Sequence, residues 1–237
     1  MEQAGRFAAA LRRWAVLFAL VALLIIVAGL AYYRYEQSQI RAERYRELAA
    51  IAELKAGQIA RWRQEQLADA RRLASSSLMR RAVEVWLQGP EVLGLREDLE
   101  EQFRLNQEEG AYADVLLLDT EGRTLLSLLA EPIPLNPVVR PALEEALATG
   151  QAALSDFYRC SQGHVHLDAM APILDAQGRP LAVVVLRTNA SKVLYPLIQS
   201  WPVSSRSAET LLVRAEGEEV LFLNDLRFQA GAALSLR

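Results

Sequence analysis

The side chains best suited to chemistry lie in one short stretch, His164-Val-His166-Leu-Asp168, with Cys160 just before it. Because side chains alternate between the two faces of a strand, a strand here would place both histidines and Asp168 on the same face. Imidazole, thiolate and carboxylate groups are the usual ligands of zinc and copper, and they also line polar pockets for small molecules. This stretch is therefore the first candidate for a functional site.

Three interpretations of the stretch remain open. Its HxHxD spacing matches metallo-β-lactamase-type hydrolases, but those enzymes need further histidines and this chain has two in all, so we exclude that class. A smaller zinc or copper site, a polar ligand pocket and a solvated strand face are all compatible with the spacing. We assign the stretch to ligand binding and predict no metal ligand, no cofactor and no catalytic residue. The metal alternative would use Cys160, His164, His166 and Asp168.

A second candidate, Arg187, lies on the strand that follows the turn at residues 175–178. Counting outward from that turn pairs position 187 with position 166, to within one residue. A buried guanidinium needs an anion, because an unpaired buried charge is costly. The anion is either Asp168, in a purely structural pair, or a small carboxylate ligand that Arg187 holds bidentately with His166 as second donor. With two residues at the rim of the pocket, the predicted ligand-binding residues are Tyr158, Arg159, His166, Asp168 and Arg187.

Hydrophobic periodicity and turn signals predict the elements that position these residues. Apolar runs flank polar turns ending in glycine at residues 119–122 and 175–178, which predicts two hairpins in which Asp119 and Asp175 serve the turns. A further strand over residues 152–158 completes five strands. Their order predicts an α+β fold, an antiparallel five-stranded sheet with flanking helices. The predicted helices beside the sheet cover residues 78–88, 91–107, a short segment that ends at Gly150, and 191–200.

The N-terminal part of the chain predicts a membrane anchor. Residues 14–33 contain no charged side chain, and a helix of that length spans about 30 Å, the thickness of a bilayer's hydrocarbon core. Trp14 at one end and Tyr32 and Tyr33 at the other suit the two membrane interfaces. The stretch is longer than the apolar region of a cleaved signal peptide. We therefore interpret it as an uncleaved signal anchor.

Charge and helix pattern predict the placement of the rest. Basic residues precede the anchor, and large domains translocate largely regardless of charge. We therefore place residues 1–13 in the cytoplasm and residues 34–237 outside it, periplasmic or extracellular, at the inner membrane. The helical pattern continues to about Leu73 with apolar pairs 11 residues apart, as in an almost straight helix. Because its membrane-proximal end has few partners within one domain, we predict a parallel homodimer.

A third hairpin pattern, at residues 211–223, predicts a second module. It follows the break at Trp201-Pro202, so we divide the external part into a first module at residues 34–203 and the start of a second one at residues 204–237, cut off at Arg237. The net charge of −3 with scattered arginines argues against a nucleic-acid partner. The single cysteine, Cys160, excludes an intrachain disulfide.

The anchor, the long helix, the LASSS helix restart, the VLLLDTEGR hairpin and the segment HLDAMAPILDAQGRPLAVVVLRT resemble extracytoplasmic double-Cache sensor domains. These are relatives of PAS domains on bacterial sensor histidine kinases, diguanylate cyclases and chemoreceptors. The resemblance covers residues 14–237. It implies a membrane-distal ligand-binding module, a second module nearer the membrane, a second span and a cytoplasmic output domain, of which the last two lie outside this sequence.

The resemblance implies a function as the ligand-sensing input region of a transmembrane signal-transduction receptor, with no catalysis in this chain. The alternative from another class is a membrane-anchored periplasmic module that binds a partner protein. In many such domains the last long strand carries an Asp that binds a ligand amine. Arg187 stands at the corresponding position here, so we do not expect recognition through an amine.

Overall fold

The computed structural model describes residues 2–89, 94–129, 131, 133–201 and 208–237. The chain divides into two units, Met1–Leu54 and Lys55–Arg237. Helix α1, Glu2–Ala74, provides all of the first unit and the start of the second. Within the first unit, α1 carries a segment that is long and apolar enough to cross a membrane, and the large apolar side chains described between residues 14 and 33 are exposed.

The second unit is an α+β domain, as the sequence predicted. Its main sheet is antiparallel, in the order β2 (Thr124–Ser127), β1 (Asp114–Leu118), β6 (Pro180–Asn189) and β5 (Val165–Leu174), and two very short strands share the outer edge of β5. The remaining helices are α2 Ser77–Gln88, α3 Leu95–Gly110, α4 Arg140–Thr149 and α5 Leu194–Gln199, with a 3-10 turn at Pro137–Val139. The strands are β1 Asp114–Leu118, β2 Thr124–Ser127, β3 Ala153–Leu154, β4 Tyr158–Arg159, β5 Val165–Leu174, β6 Pro180–Asn189, β7 Val213–Glu216 and β8 Glu219–Phe222.

Strand alternation sorts the central strands into two covered faces. On one face, side chains such as Val115 and Leu117 pack with α2, α3 and the end of α1. On the other face, Leu116, Val185 and Met170 pack with α4 and the segment that precedes it. Both faces are buried, so the sheet is the middle layer of three and offers an enclosed environment on the α4 face.

The two hairpin turns close as predicted and use the same local chemistry. In each, the aspartate Oδ1 atom accepts hydrogen bonds from the backbone nitrogens two and four residues later, at 2.8–2.9 Å, for Asp119 and for Asp175. Gly122 has a φ of +85°, a conformation that L side chains rarely adopt. A Cβ atom there would also lie only 3.0 Å from Leu143 Cδ2, so both the positive φ and the tight packing favour glycine at this position.

The predicted strand over residues 152–158 is wrong in one respect, because it is broken into β3 and β4. At the break, the backbone nitrogen of Asp168 donates to the Ser155 hydroxyl at 2.9 Å. A side-chain oxygen thus replaces the backbone carbonyl that a regular ladder would use, and the residues after Ser155 leave the sheet. The helix predicted from residue 91 begins at Leu95, and residues 91–93 of that prediction lie outside the described residues.

Strands β7 and β8 form a separate two-stranded sheet. The segment after β8 returns to it, because Phe222 donates its backbone N–H to Leu236 and accepts from Leu234. A third apolar cluster joins Ala233 to Trp62 of α1 and to Leu194 of α5. Where a second module begins stays a prediction, since residues 202–207 lie outside the described residues.

Candidate functional site

Three neighbouring strands place Asp114, Arg187 and Asp168 in one row across the sheet. Arg187 of β6 pairs with Asp114 of β1 on one side and with Asp168 of β5 on the other. Directly opposed residues in an antiparallel sheet face the same side, which here is the α4 face. All three side chains are fully buried, and Arg187 is the largest of the fully buried side chains. We call Asp114, Arg187 and Asp168 the charged row.

Arg187 is bound mainly by Asp168. Its Nε and Nη2 atoms donate to the two carboxylate oxygens of Asp168, each at 3.3 Å, in the parallel arrangement of a bidentate pair. Its Nη1 atom donates to the carbonyl oxygen of Ile133, in the segment before α4, over a longer 3.4 Å. Burial lowers the pKa of Arg187, but Asp168, Tyr158 and Asp114 together raise it more, so the guanidinium stays charged.

Tyr158 completes the pair from the edge of the sheet. Its hydroxyl group lies 2.9 and 2.8 Å from the two Asp168 oxygens and donates its proton to that carboxylate. Burial raises the pKa of Tyr158, and the negative charge of Asp168 raises it further, so the phenol remains protonated. Asp168 therefore accepts from a neutral hydroxyl and from a cation at once, which compensates its charge inside the domain.

The predicted register of the hairpin is wrong by two residues. Arg187 pairs with Asp168, whereas His166 pairs with Asn189. One residue of this difference arises at the turn, because Asp175 pairs with Arg179 and not with Gly178. The second comes from an irregularity between Ile173 and Leu174 that adds a residue to the pairing. Of the two anions that the sequence allowed for Arg187, the structure shows the internal one, Asp168.

Asp114 belongs to the site and was missed in the sequence. It accepts a hydrogen bond from the Ser127 hydroxyl at 2.9 Å and one from the backbone nitrogen of Leu128 at 3.1 Å. Burial raises the pKa of Asp114, against the opposing effect of these hydrogen bonds and of Arg187. A charged residue at the first position of an otherwise apolar strand was the available signal, but it looks the same as a solvated strand end.

His166 lies on the same covered face, next to Tyr158. The two ring centroids are 5.8 Å apart, and His166 is only 3% exposed. Both of its ring nitrogens are buried, and neither has a hydrogen-bond partner of normal geometry among the described residues. Burial lowers its pKa, which favours the neutral ring, while the charge of Asp168 and the nearby backbone of Thr188 raise it. The interpretation of this stretch as a solvated strand face is therefore wrong for His166 and Asp168.

The structure does not bring Arg159 to the charged row. Adjacent residues of a strand point to opposite faces, and Arg159 is exposed. Its guanidinium donates to the carbonyl oxygen of Gly163 at 2.8 Å and to that of Ala233. Arg159 thus ties the turn before β5 to the C-terminal segment, whereas Tyr158, His166, Asp168 and Arg187 lie together.

No family model and no curated protein matches this chain. Solved structures do match. The sensor domain of the histidine kinase DctB from V. cholerae aligns with a TM-score of 0.53 at 19% identity, over 65% of this chain and 58% of that chain. The ligand-binding domain of the Pseudomonas aeruginosa amino acid chemoreceptor PctC, in complex with GABA, aligns with a TM-score of 0.50 at 18% identity, over 79% and 78%.

A third similar structure is the ligand-binding domain of the Campylobacter jejuni chemoreceptor Tlp3 in complex with L-norvaline, with a TM-score of 0.50 at 13% identity, over 65% of this chain and 61% of that one. The chain thus spans less than two thirds of the DctB and Tlp3 chains. At these identities the likeness shows the fold. The fold is that of Cache-type sensor domains, as the sequence resemblance predicted.

Proposed function

We propose that this chain is the extracytoplasmic ligand-sensing input region of a transmembrane signal-transduction receptor. The observation that carries the proposal is the fully buried charged row on the covered face of a sensor-domain sheet. A structural sheet gains nothing from burying three ionisable groups there, since apolar side chains of similar volume stabilise a core as well or better. A ligand that enters under the α4 side would meet these groups in place of water.

The ligand class that we propose is a small carboxylate. Asp168 occupies only one edge of the Arg187 guanidinium, the edge made by Nε and Nη2. On the other edge, Nη1 contacts one backbone carbonyl, that of Ile133, at 3.4 Å. A carboxylate oxygen is a stronger acceptor than a neutral carbonyl and would replace it on Nη1. His166 and Tyr158 lie on the same face and would provide further polar contacts to the carboxylate, as we expected from the sequence.

The similar structures support this class. Two of them contain amino-type ligands that carry a carboxylate, L-norvaline in Tlp3 and GABA in PctC. Those ligands belong to those proteins. For this chain, the proposal rests on the Nη1 edge of Arg187, where the acceptor is a neutral backbone carbonyl and not a carboxylate.

A path from this site to α1 exists within the second unit. Thr188, the neighbour of Arg187 on β6, points to the opposite face and its hydroxyl lies 2.9 Å from the Gln66 side-chain oxygen on α1. A shift of β6 on ligand binding would therefore act on α1 through one hydrogen bond. Since α1 continues toward the N-terminus as one helix, we propose it as the element that carries the signal.

Thermal unfolding of the full chain in detergent, with a panel of small carboxylates and amines, tests the ligand class. A carboxylate at 100 times its dissociation constant should stabilise the protein by about 2.7 kcal/mol, which raises Tm by roughly 5–10 °C in a domain of this size. The Arg187→Lys variant keeps the charge but loses the planar guanidinium edge, so the carboxylate should no longer raise its Tm. The exposed Arg179→Lys is the matched control. The proposal fails if amines without a carboxylate give the largest shifts, or if Arg187→Lys responds like the parent protein.

We further propose that residues 34–237 lie outside the cytoplasm and that residues 34–54 of α1 pair in a parallel homodimer. Large apolar side chains are exposed along this part of the helix, and five of them are more than half exposed: Tyr35, Ile40, Tyr45, Leu48 and Leu54. A solvated helix does not need them, whereas a helix pair would bury them. The apolar segment in the first unit is the proposed anchor in the inner membrane.

One crosslinking experiment tests both placement and pairing. In a Cys160→Ser background, Leu48→Cys should form a covalent dimer when intact spheroplasts are treated with a membrane-impermeant bismaleimide. Ala50→Cys lies about 200° away around the helix and should crosslink far less. Crosslinking that needs a membrane-permeant reagent would contradict the external placement. Absence of crosslinks with both reagents would contradict the dimer.

A further inference from the structure

The turn before β5 brings a cysteine and two histidines together. The backbone nitrogen of Cys160 donates to the carbonyl of His164 at 2.9 Å, and that of Gly163 donates to the carbonyl of Cys160 at 2.9 Å. This tight turn, with Gly163 at a φ of +86°, places Cys160 across from His164. His166 follows two residues later on β5. The Cys160 Sγ atom and one ring nitrogen of each histidine all lie within 4.8 Å of one another.

That separation is close to what a metal ion requires. In a tetrahedral zinc site with metal–sulfur bonds of about 2.3 Å and metal–nitrogen bonds of about 2.0 Å, the ligand atoms are roughly 3.3–3.6 Å apart. His164 is exposed, so its ring can rotate inward without disturbing the core. Cys160 and His166 are buried and already held in place. A metal ion would approach from the side of His164.

A second observation points independently to a ligand. His166 is only 3% exposed, yet neither ring nitrogen has a hydrogen-bond partner of normal geometry among the described residues. Leaving a buried polar group unpaired costs about 1–3 kcal/mol, so almost all such groups in folded proteins find a partner. A neutral imidazole offers a lone pair on one ring nitrogen. A metal ion held by Cys160 and His164 would satisfy it.

The donor set decides the chemistry of the ion. The sequence offered Asp168 as a fourth metal ligand. Its carboxylate already accepts hydrogen bonds from Tyr158 and Arg187, so we do not include it in the site. The remaining donors are one sulfur and two imidazole nitrogens, a set that suits zinc and copper and not the oxygen-seeking calcium or magnesium. Three protein ligands leave one coordination position open.

We propose that Cys160, His164 and His166 bind one thiophilic transition-metal ion, zinc or copper. On binding, the Cys160 thiol releases its proton to solvent and coordinates as thiolate, and both imidazoles coordinate as neutral ligands through one ring nitrogen each. The proposal goes beyond the carboxylate-sensing function and assigns His166 to the metal. The two are separable, because the carboxylate response depends on Arg187 and the metal site does not contain it.

Cobalt substitution of the full chain in detergent tests the site, with any affinity tag removed and the thiol kept reduced. We expect one Co²⁺ per chain, with an intense sulfur-to-cobalt charge-transfer absorption that Zn²⁺ abolishes by displacement. Cys160→Ser should lose the absorption, and His164→Ala should weaken binding by about 100-fold or more, since even outer-shell changes cost 10–100-fold. Competition between Zn²⁺ and Cu⁺ under reducing conditions then shows which of the two ions the site prefers.

Gln162→Ala is the matched control, because Gln162 is exposed in the same turn and offers no strong metal ligand. It should bind Co²⁺ like the parent protein, and circular dichroism should show that all variants are folded. His164→Ala keeps the test decisive even if Cys160→Ser does not fold, since His164 lies on the surface. Absence of the charge-transfer absorption in the parent protein, or unchanged affinity in His164→Ala, would overturn the proposal.

Discussion

Replacing Arg187 by Met should lower the unfolding free energy by about 3–5 kcal/mol, because it leaves the Asp168 carboxylate buried without its cation. In a domain of this size that loss corresponds to a fall in Tm of roughly 6–20 °C. Methionine fills much of the same volume, so the loss reports on charge more than on packing. Thermal unfolding of the full chain, followed by circular dichroism, measures it.

A second change separates charge from shape at the same place. Adding Asp168→Asn to the Arg187→Met variant removes the uncompensated charge and keeps an oxygen that accepts from the Tyr158 hydroxyl, so part of the lost stability should return. The ion pair of Arg179 with Asp175 is the exposed counterpart, and Arg179→Met should leave Tm almost unchanged. A Tm for Arg187→Met within about a degree of the parent would show that the charged row contributes little to folding.

Replacing Phe103 by Ala should be as damaging, for an apolar reason. Phe103 is fully buried where α3 packs on the sheet, in the same cluster as Leu99 and Val115. Truncating a buried phenylalanine costs about 3–5 kcal/mol, because the apolar transfer energy is lost and the cavity closes only in part. Denaturant unfolding of the full chain measures the loss as a lower midpoint.

Leu105 offers the matched control on the same helix. It is 46% exposed, and Leu105→Ala should change the unfolding free energy by no more than about 0.5 kcal/mol. If both variants unfold at the same denaturant concentration, the packing of α3 on the sheet is not what stabilises this face of the domain.

The fold could be predicted because its signals are local. The two turns at Asp119 and Asp175 are specified by an aspartate and a glycine three residues later, and the structure contains both as predicted. Helix α2 restarts close to the predicted residue 78: it begins at Ser77, with Ser76 as its N-cap. The broken strand at Ser155 could not be predicted, because the serine hydroxyl replaces a ladder acceptor only once Asp168 lies opposite.

For the candidate site, the sequence predicted which residues lie together but not how they pair across the strands. His166, Asp168, Arg187 and Tyr158 do meet on one face, since alternation and strand order are readable from the sequence. Their pairing could not be predicted from the sequence, because one extra residue in β6, Leu181, shifts each partner along the ladder. Asp114 could not be predicted as a site residue, because it reaches Arg187 only when β1 lies beside β6. The two segments are about 70 residues apart in the sequence.

The break between β3 and β4 has a consequence for how copies of this chain meet. An edge strand with unpaired backbone groups recruits strands from other molecules, and long regular edges lead to aggregation. One edge of the main sheet is the four-residue β2, and the other is divided into two pieces of two residues each. Neither offers a template long enough for a foreign strand. The interruption at Ser155 therefore leaves this edge too short and irregular to serve as a template for sheet-to-sheet polymerisation.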